Sequence, residues 1–446
     1  MPSFLYINLD LNSTTWYHQS MNTLIKNALI LPMTKENYTY RGDLKIENGK
    51  ITDNPNFIAN KTIDATNMIC MPSLINSHTH TSMELMRNYK DTAPDLMAWL
   101  SEIFPLEDKL VDNDIKWASK LAMAEMLQSG CTTFNDMYFK QDNTCEGLLE
   151  SGMRAKIGLT LFAGIEECKA REQSNNKFYN KYNNAGDGRI TFSIAPHAIY
   201  TTPAESYVYA NKWVKEHPGT MLHTHMSESM TEIKGTLKEF GKEPLKYLQD
   251  EGAFDGIGVI LAHCVHLTDE EIKICSDNNY SIVHNPSSNC KLASGIAPVA
   301  KYLKSGINVC LGTDGSSSNN NLNMFEEMHL AAMISNVSNM NPMATTPYQI
   351  IKMATLNGAK ALGIDDKVGT LEVGKEADLI LVDINKTHLT PLNDPLSALV
   401  FGAQGSDVDT VFCQGKILME NRKLLTLDIE EIISNTNECW TDLLSR

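Results

Sequence analysis

Between residues 71 and 365, short apolar runs alternate with longer helical stretches until about eight strand candidates have gone by, the texture of a parallel α/β fold. The first run ends at His80, and the others cover 131–134, 155–161, 190–195, 221–226, 259–263, 281–284 and 308–312. Their connections look helical: 117–129 reads as an amphipathic helix closed by Gly130 as a C-cap. Eight such units over roughly 290 residues fit a distorted (β/α)8 TIM barrel, whose catalytic groups sit at the C-terminal ends of its strands. A doubly wound open sheet is the competing layout, but it calls for a Gly-rich phosphate loop that the chain does not carry.

The flanks read differently. Residues 21–70 and 366–446 show short strands and turns, including an Asn48-Gly49 hairpin signal, and point to one discontinuous β-sandwich domain built from both chain ends. Residues 1–20, ahead of the second methionine Met21, form an extension of unknown role.

With 42% hydrophobic and 21% charged residues, the 446-residue chain has the composition of a folded protein. Its formal net charge of -16 repels phosphate, which argues against nucleic-acid and anionic-membrane partners and leaves a small molecule. Ten cysteines without a CxxC pair, no leader-like opening and no apolar run of bilayer length indicate the reducing cytoplasm. Assembly into a homo-oligomer is left open.

What the strands end in is informative. His78 and His80 close the first strand, and a two-residue repeat puts both rings on one side, where they can grip one metal ion. His197 follows the fourth strand, His223 and His225 lie on the fifth, His263 ends the sixth, and Asp314 follows the eighth. Glu228 stands three residues beyond His225. Three imidazoles and a carboxylate suit zinc, with ferrous iron as the alternative, and such an ion lowers the pKa of bound water toward neutrality. The expected ligands are His78, His80, His225 and Asp314. Asp314 can also take the water's proton, Glu228 can protonate a ring nitrogen of the substrate, and His263 can orient the nucleophile or hold developing charge.

The segments 72–80 (PSLINSHTH), 222–228 (LHTHMSE), 262–264 (AHC) and 312–315 (GTDG) resemble the amidohydrolase superfamily, as does the returning β segment 369–379 (GTLEVGKEADL). Stretches 97–107 (MAWLSEIFPLE) and 124–138 (AEMLQSGCTTFNDMY) are most similar to the 5-methylthioadenosine/S-adenosylhomocysteine deaminase group, which is related to triazine hydrolases. The resemblance implies that Glu107 holds ribose hydroxyls, that His197 contacts the nucleoside, and that Arg154 binds the carboxylate of an amino-acid tail. Ser318 is a further candidate for the base or tail. No second arginine is found, and 161–167 is acidic where one might be expected, so the charged tail is in doubt. Two-metal members of the superfamily bridge their ions with a lysine at the tip of the fourth strand; here Pro196-His197 stands there, which favours one ion and ring deamination.

The expected activity is therefore hydrolytic deamination of an adenine nucleoside: methylthioadenosine, S-adenosylhomocysteine, adenosine or 5'-deoxyadenosine. A second reading keeps the site but changes the substrate to a triazine, another purine or a pterin-like heterocycle, in which case Glu107 has no ribose to hold. A third, from another class, is a catalytically silent barrel serving in binding or assembly.

Overall fold

The computed structural model describes residues 21–446; the 1–20 extension lies outside the described residues. Two sheets organise the chain. The first is built from both ends: β1 (Thr23–Ile30), β2 (Tyr40–Glu47), β3 (Lys50–Thr52), β4 (Lys61–Asp64) and β5 (Met68–Pro72) from the N-terminal side. Its barrel counterpart follows immediately with β6 (Leu74–Thr79), β7 (Cys131–Tyr138), β8 (Arg154–Leu161), β9 (Ile190–Pro196), β10 (Leu222–Met226), β11 (Val259–His263), β12 (Ser281–His284) and β13 (Asn308–Leu311). The chain then returns to the first sheet as β14 (Leu379–Asp383), β15 (Val408–Cys413), β16 (Lys416–Glu420) and β17 (Lys423–Leu424).

The end sheet is mixed, in the order β17-β16-β15-β14-β5-β1-β2-β3 with β4 parallel to β1. The antiparallel pairing of β14 with β5 joins the two chain ends, Leu379 opposite Pro72 and Asp383 opposite Met68. Ile25, Ile30, Leu44, Ile46, Cys70, Leu379, Leu381 and Phe412 form its own apolar core. Met71 and Pro72, at the boundary expected for the barrel, pair in this sheet, and the C-terminal helix Ile429–Ser445 leaves it to lie on the barrel helix Asp112–Gln128, where the Arg446 guanidinium binds Asp114.

The barrel strands run parallel in sequence order, β6 to β13, and are buried over nearly their whole length. That is why they read as apolar runs with no alternation. Helices between them supply the outer layer, and helix Asp112–Gln128 ends just before Gly130, whose φ of +83° serves the turn into β7. Between β6 and β13 there is no strand ladder. That seam is closed by the Asn76 side chain, which bonds the Thr313 backbone and hydroxyl (3.0 and 2.7 Å), and by Asp314 N donating to His78 O (3.0 Å). The two backbones come so close that a Cβ on Gly312 would lie 2.8 Å from His78 N and O, so only glycine fits there. All ten cysteines are free, and among the described residues no helix is long and apolar enough to cross a membrane.

Candidate active site

The strand-end residues meet at the C-terminal mouth of the barrel, as the barrel architecture requires. His78 comes from β6 and His80 from the residue just after it, His225 from β10, His263 from β11, and Asp314 from the turn after β13. His263 (φ 70°), Asp314 (φ 63°) and Ser227 (φ 48°), beside Glu228, take left-handed backbone conformations that bulky residues avoid. Strain gathered at one place is characteristic of functional sites.

The imidazoles are oriented for a cation. His80 Nδ1 donates to Met137 O (2.6 Å) and His225 Nδ1 to His197 O (2.8 Å), which leaves each Nε2 with its lone pair facing inward. Those two Nε2 atoms are 3.3 Å apart. Two lone pairs pointing at each other repel unless a positive charge sits between them. His78 Nε2 is buried without a hydrogen-bond partner and lies 3.4 Å from Asp314 Oδ1, which is 3.1 Å from His80 Nε2. His78, His225, His263 and Asp314 offer ligand atoms all within 4.8 Å of one another. The residues present fit a divalent metal, and the inclusion of His263 puts a further imidazole within its reach.

Around this cluster sit the proton-handling groups. Glu228 is buried, which raises its carboxyl above the usual carboxylate range against the opposing pull of His263, whose Nε2 is 3.8 Å from Oε2. Asp314 Oδ2 lies 3.9 Å from the same nitrogen and accepts from Ser288 Oγ (2.6 Å) and Ser318 Oγ (2.9 Å), while Oδ1 accepts from Gly315 N (2.8 Å).

A cleft opens from these residues. His197 and Ser318 line it, as does Glu107 at the C-terminal end of helix Leu96–Glu107. Glu107 Oε1 accepts from Tyr138 OH (2.7 Å), and burial raises its carboxyl. The His197 ring lies 4.8 Å from Phe162 and is kept neutral by burial, its pKa pushed down to about 3.

One expectation needs correction. Arg154 is not at the cleft: as the first residue of β8 it lies at the opposite, N-terminal end of the barrel, buried and ion-paired with Glu376 and Asp378. A residue that opens a strand cannot reach the face where that strand ends. Ser318 does line the cleft, but its hydroxyl proton goes to Asp314.

Two neighbours, Ser288 and Glu232, escaped the sequence reading, and a third, His223, was placed on its strand without a role. Ser288 shares Asp314 Oδ2 with Ser318. His223 Nε2 sits 2.9 Å from His78 Nδ1 and so fixes that ring; its position two residues before His225 on one strand was the available signal. Glu232 accepts from the backbone amides of Ser227 (2.9 Å) and Glu228 (2.8 Å), pinning the turn that aims Glu228. The Ser229-x-x-Glu232 spacing announces a helix start, with Ser229 Oγ accepting from Glu232 N, but gives no hint that the carboxylate reaches back to Glu228.

A parallel barrel with a histidine-aspartate cluster at its mouth defines a metal-dependent hydrolase class, and the comparisons place the chain within it: residues 69–418 match the Amidohydrolase family, and the chain belongs to that family. It is 44% identical over 436 residues to the 5-methylthioadenosine/S-adenosylhomocysteine deaminase of Thermoanaerobacter pseudethanolicus, covering 96% of this chain and all of the relative. It is also 44% identical over 379 residues to the 5'-deoxyadenosine deaminase of Methanosphaera stadtmanae, covering 84% of this chain and 88% of the relative. Among solved structures, a zinc-bound adenosine deaminase from Xanthomonas campestris superposes with a TM-score of 0.90 at 30% identity, over 96% of this chain and 99% of that one.

Proposed function

We propose that the chain is a metal-dependent deaminase of adenine nucleosides that converts the 6-amino purine to the inosine derivative and ammonia. The observation that carries this reading is that a proton-handling cluster (Glu228, His263, Asp314) and the Glu107 carboxylate line one cleft. A nucleoside presents a ring carbon bearing an amine at one end and vicinal hydroxyls at the other, and a carboxylate accepts two hydroxyl hydrogen bonds at once. A triazine or pterin-like substrate would bring no vicinal hydroxyls for Glu107 to hold. The deaminase relatives at 44% identity support the same class.

His78, His80, His225 and Asp314 would hold one divalent ion, which we assign as zinc on the strength of the zinc-bound structural relative. When bound, it supplies the polarisation that makes water a competent nucleophile at neutral pH. The protein's own groups handle the protons. Asp314 Oδ2, reached by His263 Nε2 across 3.9 Å, takes the proton from the attacking water. Glu228, its carboxyl raised by burial, delivers a proton to the ring nitrogen beside the carbon under attack. His263 donates from Nδ1 to Asn289 Oδ1 (2.8 Å), which leaves Nε2 facing Glu228 and Asp314 to orient the nucleophile. His197 bounds the nucleoside from the Phe162 side. The strand tip Pro196-His197 offers no bridging lysine, in keeping with a single ion. Ten free cysteines suit a reducing compartment such as the cytoplasm.

The test is ultraviolet absorbance of zinc-loaded protein with adenine nucleosides, following the shift from adenine to hypoxanthine. Glu228→Gln should retain its metal and lose roughly 10²–10⁴-fold in turnover. No shift in metal-containing wild type, or near-normal turnover by Glu228→Gln, would overturn the assignment.

A further inference from the structure

We propose that Glu327 is a positioning residue for the proton acceptor: its one carboxyl sets the spacing of the two short helices that hold Asp314 Oδ2. This rests on the deaminase reading, in which that oxygen takes the proton from the attacking water. Glu327 lies near the start of helix Met324–Ser338, is 0% exposed and stands behind the lining of the cleft. Its oxygens serve two different elements. Oε2 accepts from Ser287 N (3.2 Å), in the first turn of helix Pro286–Lys291, and Oε1 accepts from Asn319 Nδ2 (2.7 Å), at the end of helix Ser316–Asn319.

Each of those helices carries one of the hydroxyls on Asp314. Ser288 follows Ser287 directly and donates to Oδ2 (2.6 Å); Ser318 precedes Asn319 and donates to the same oxygen (2.9 Å). The two hydroxyls are 3.1 Å apart. Asn289, the next residue on the first helix, accepts the Nδ1 proton of His263 (2.8 Å), and Asn319 Nδ2 also donates to Thr313 O (2.8 Å), beside Asp314. The helices follow neighbouring strands whose ladder stops at His284 and Leu311. Beyond it, the Glu327 carboxyl, the serine pair and Lys291 Nζ on Ser317 O (3.1 Å) fasten one helix to the other. Burial among neutral partners pushes the Glu327 carboxyl up to about 8, and an apolar side chain of the same size would pack there more favourably. It could not, however, accept from two elements at once. The two serine donors fix the rotation of the Asp314 carboxylate, so a small shift of either helix misdirects Oδ2.

The experiment is a double-mutant cycle in zinc-loaded enzyme with methylthioadenosine or 5'-deoxyadenosine, whichever wild type turns over faster. Both kcat and KM are taken per folded, zinc-containing chain, with Tm and zinc content measured alongside. Glu327→Gln keeps the size and one acceptor oxygen but turns an amide N–H toward a donor. Its kcat should fall roughly 10–100-fold, with KM within about threefold and zinc unchanged. In a Ser288→Ala/Ser318→Ala background, itself slower, the same substitution should cost about threefold or less, the remainder passing through Asn289 to His263. Asn319→Ala, which cuts the link to the helix of Ser318, should show a smaller kcat loss that disappears when Ser318→Ala is present, and it carries the test if Glu327→Gln does not fold. Equal losses in both backgrounds, a lower Tm with kcat per folded chain unchanged, or a kcat loss matched by lost zinc would overturn the inference while leaving the deaminase intact. Absence of turnover by zinc-containing wild type would overturn the nucleoside reading and this inference with it.

Discussion

Replacing Arg154 with leucine separates a structural arginine from a substrate-binding one. Its side chain is 3% exposed; Nε is 3.2 Å from Asp378 Oδ2, and Nη2 bonds both Glu376 and Asp378. The Asp378 side chain is 1% exposed and also accepts from Gln414 N (2.7 Å), so the pair ties the first residue of β8 to the segment that enters β14. Removing the guanidinium leaves a dry carboxylate without its counter-charge, a loss of about 3–5 kcal/mol. Because Asp378 is shielded from water, little of that is discounted by solvent; Glu376, at 18%, can relax outward. For a chain of 446 residues the unfolding entropy is about 0.9 kcal/mol per degree, so Tm should fall by about 3–5 °C. Thermal unfolding followed by circular dichroism reads the shift, and steady-state deamination well below Tm should show kcat/KM within about twofold of wild type, since the mutated atoms sit at the opposite end of the barrel. An unchanged Tm together with a selective loss of S-adenosylhomocysteine turnover would refute this account and return Arg154 to the cleft.

Two further expectations concern the poles of the site. Glu107→Ala should raise KM for nucleosides by roughly 10–100-fold, the worth of charge-assisted hydrogen bonds, with a much smaller effect on kcat; the opposite split would remove it from the ribose. Glu232→Gln keeps one acceptor oxygen but sets an amide N–H against one of the two backbone amides it now serves, so kcat should fall about 10–100-fold while KM and metal content hold, and a fall in KM-dependent binding alone would contradict the positioning role. Burial pushes the Glu232 carboxyl up to about 7, so between its ordinary value and about 7 the unfolded chain holds fewer protons than the native one. Stability contributed by this group therefore falls as pH rises through that window, and melts of Glu232→Gln across it should show a flatter dependence.

How much of this was legible in the chain follows from where each residue sits on its strand. His78, His80, His225 and His263 end or nearly end apolar runs, and in a barrel that position alone fixes which face they reach; the structure brings them together with Asp314. Arg154 carries the same logic in reverse, because Ser151-Gly152-Met153 ends a helix and turns into the strand that Arg154 begins. Its error was one of polarity along the strand, a property the sequence did contain. Ser288 and Glu232 belong to another category. Each acts through a contact made after the fold is complete, Ser288 on Asp314 across 26 residues and Glu232 on amides of an adjacent turn, and neither spacing is distinctive. The aromatic character of the cleft wall lay midway between these cases: Trp99 and Phe104 stood on a recognisable helix, but only the packing showed that Phe139 and Phe162 join them.

The seam between β6 and β13 links chemistry to the order in which the molecule can be assembled. Asn76 and Thr313 are 237 residues apart, and the carboxylate and two of the imidazoles expected to share an ion stand on the two sides of that same joint. Every intervening strand must be laid down before Asp314 comes within range of His78. The ion-binding pocket is therefore absent from any nascent or partly folded chain that lacks its eighth strand, and the finished ring is the first species able to capture a metal with the full set of donors.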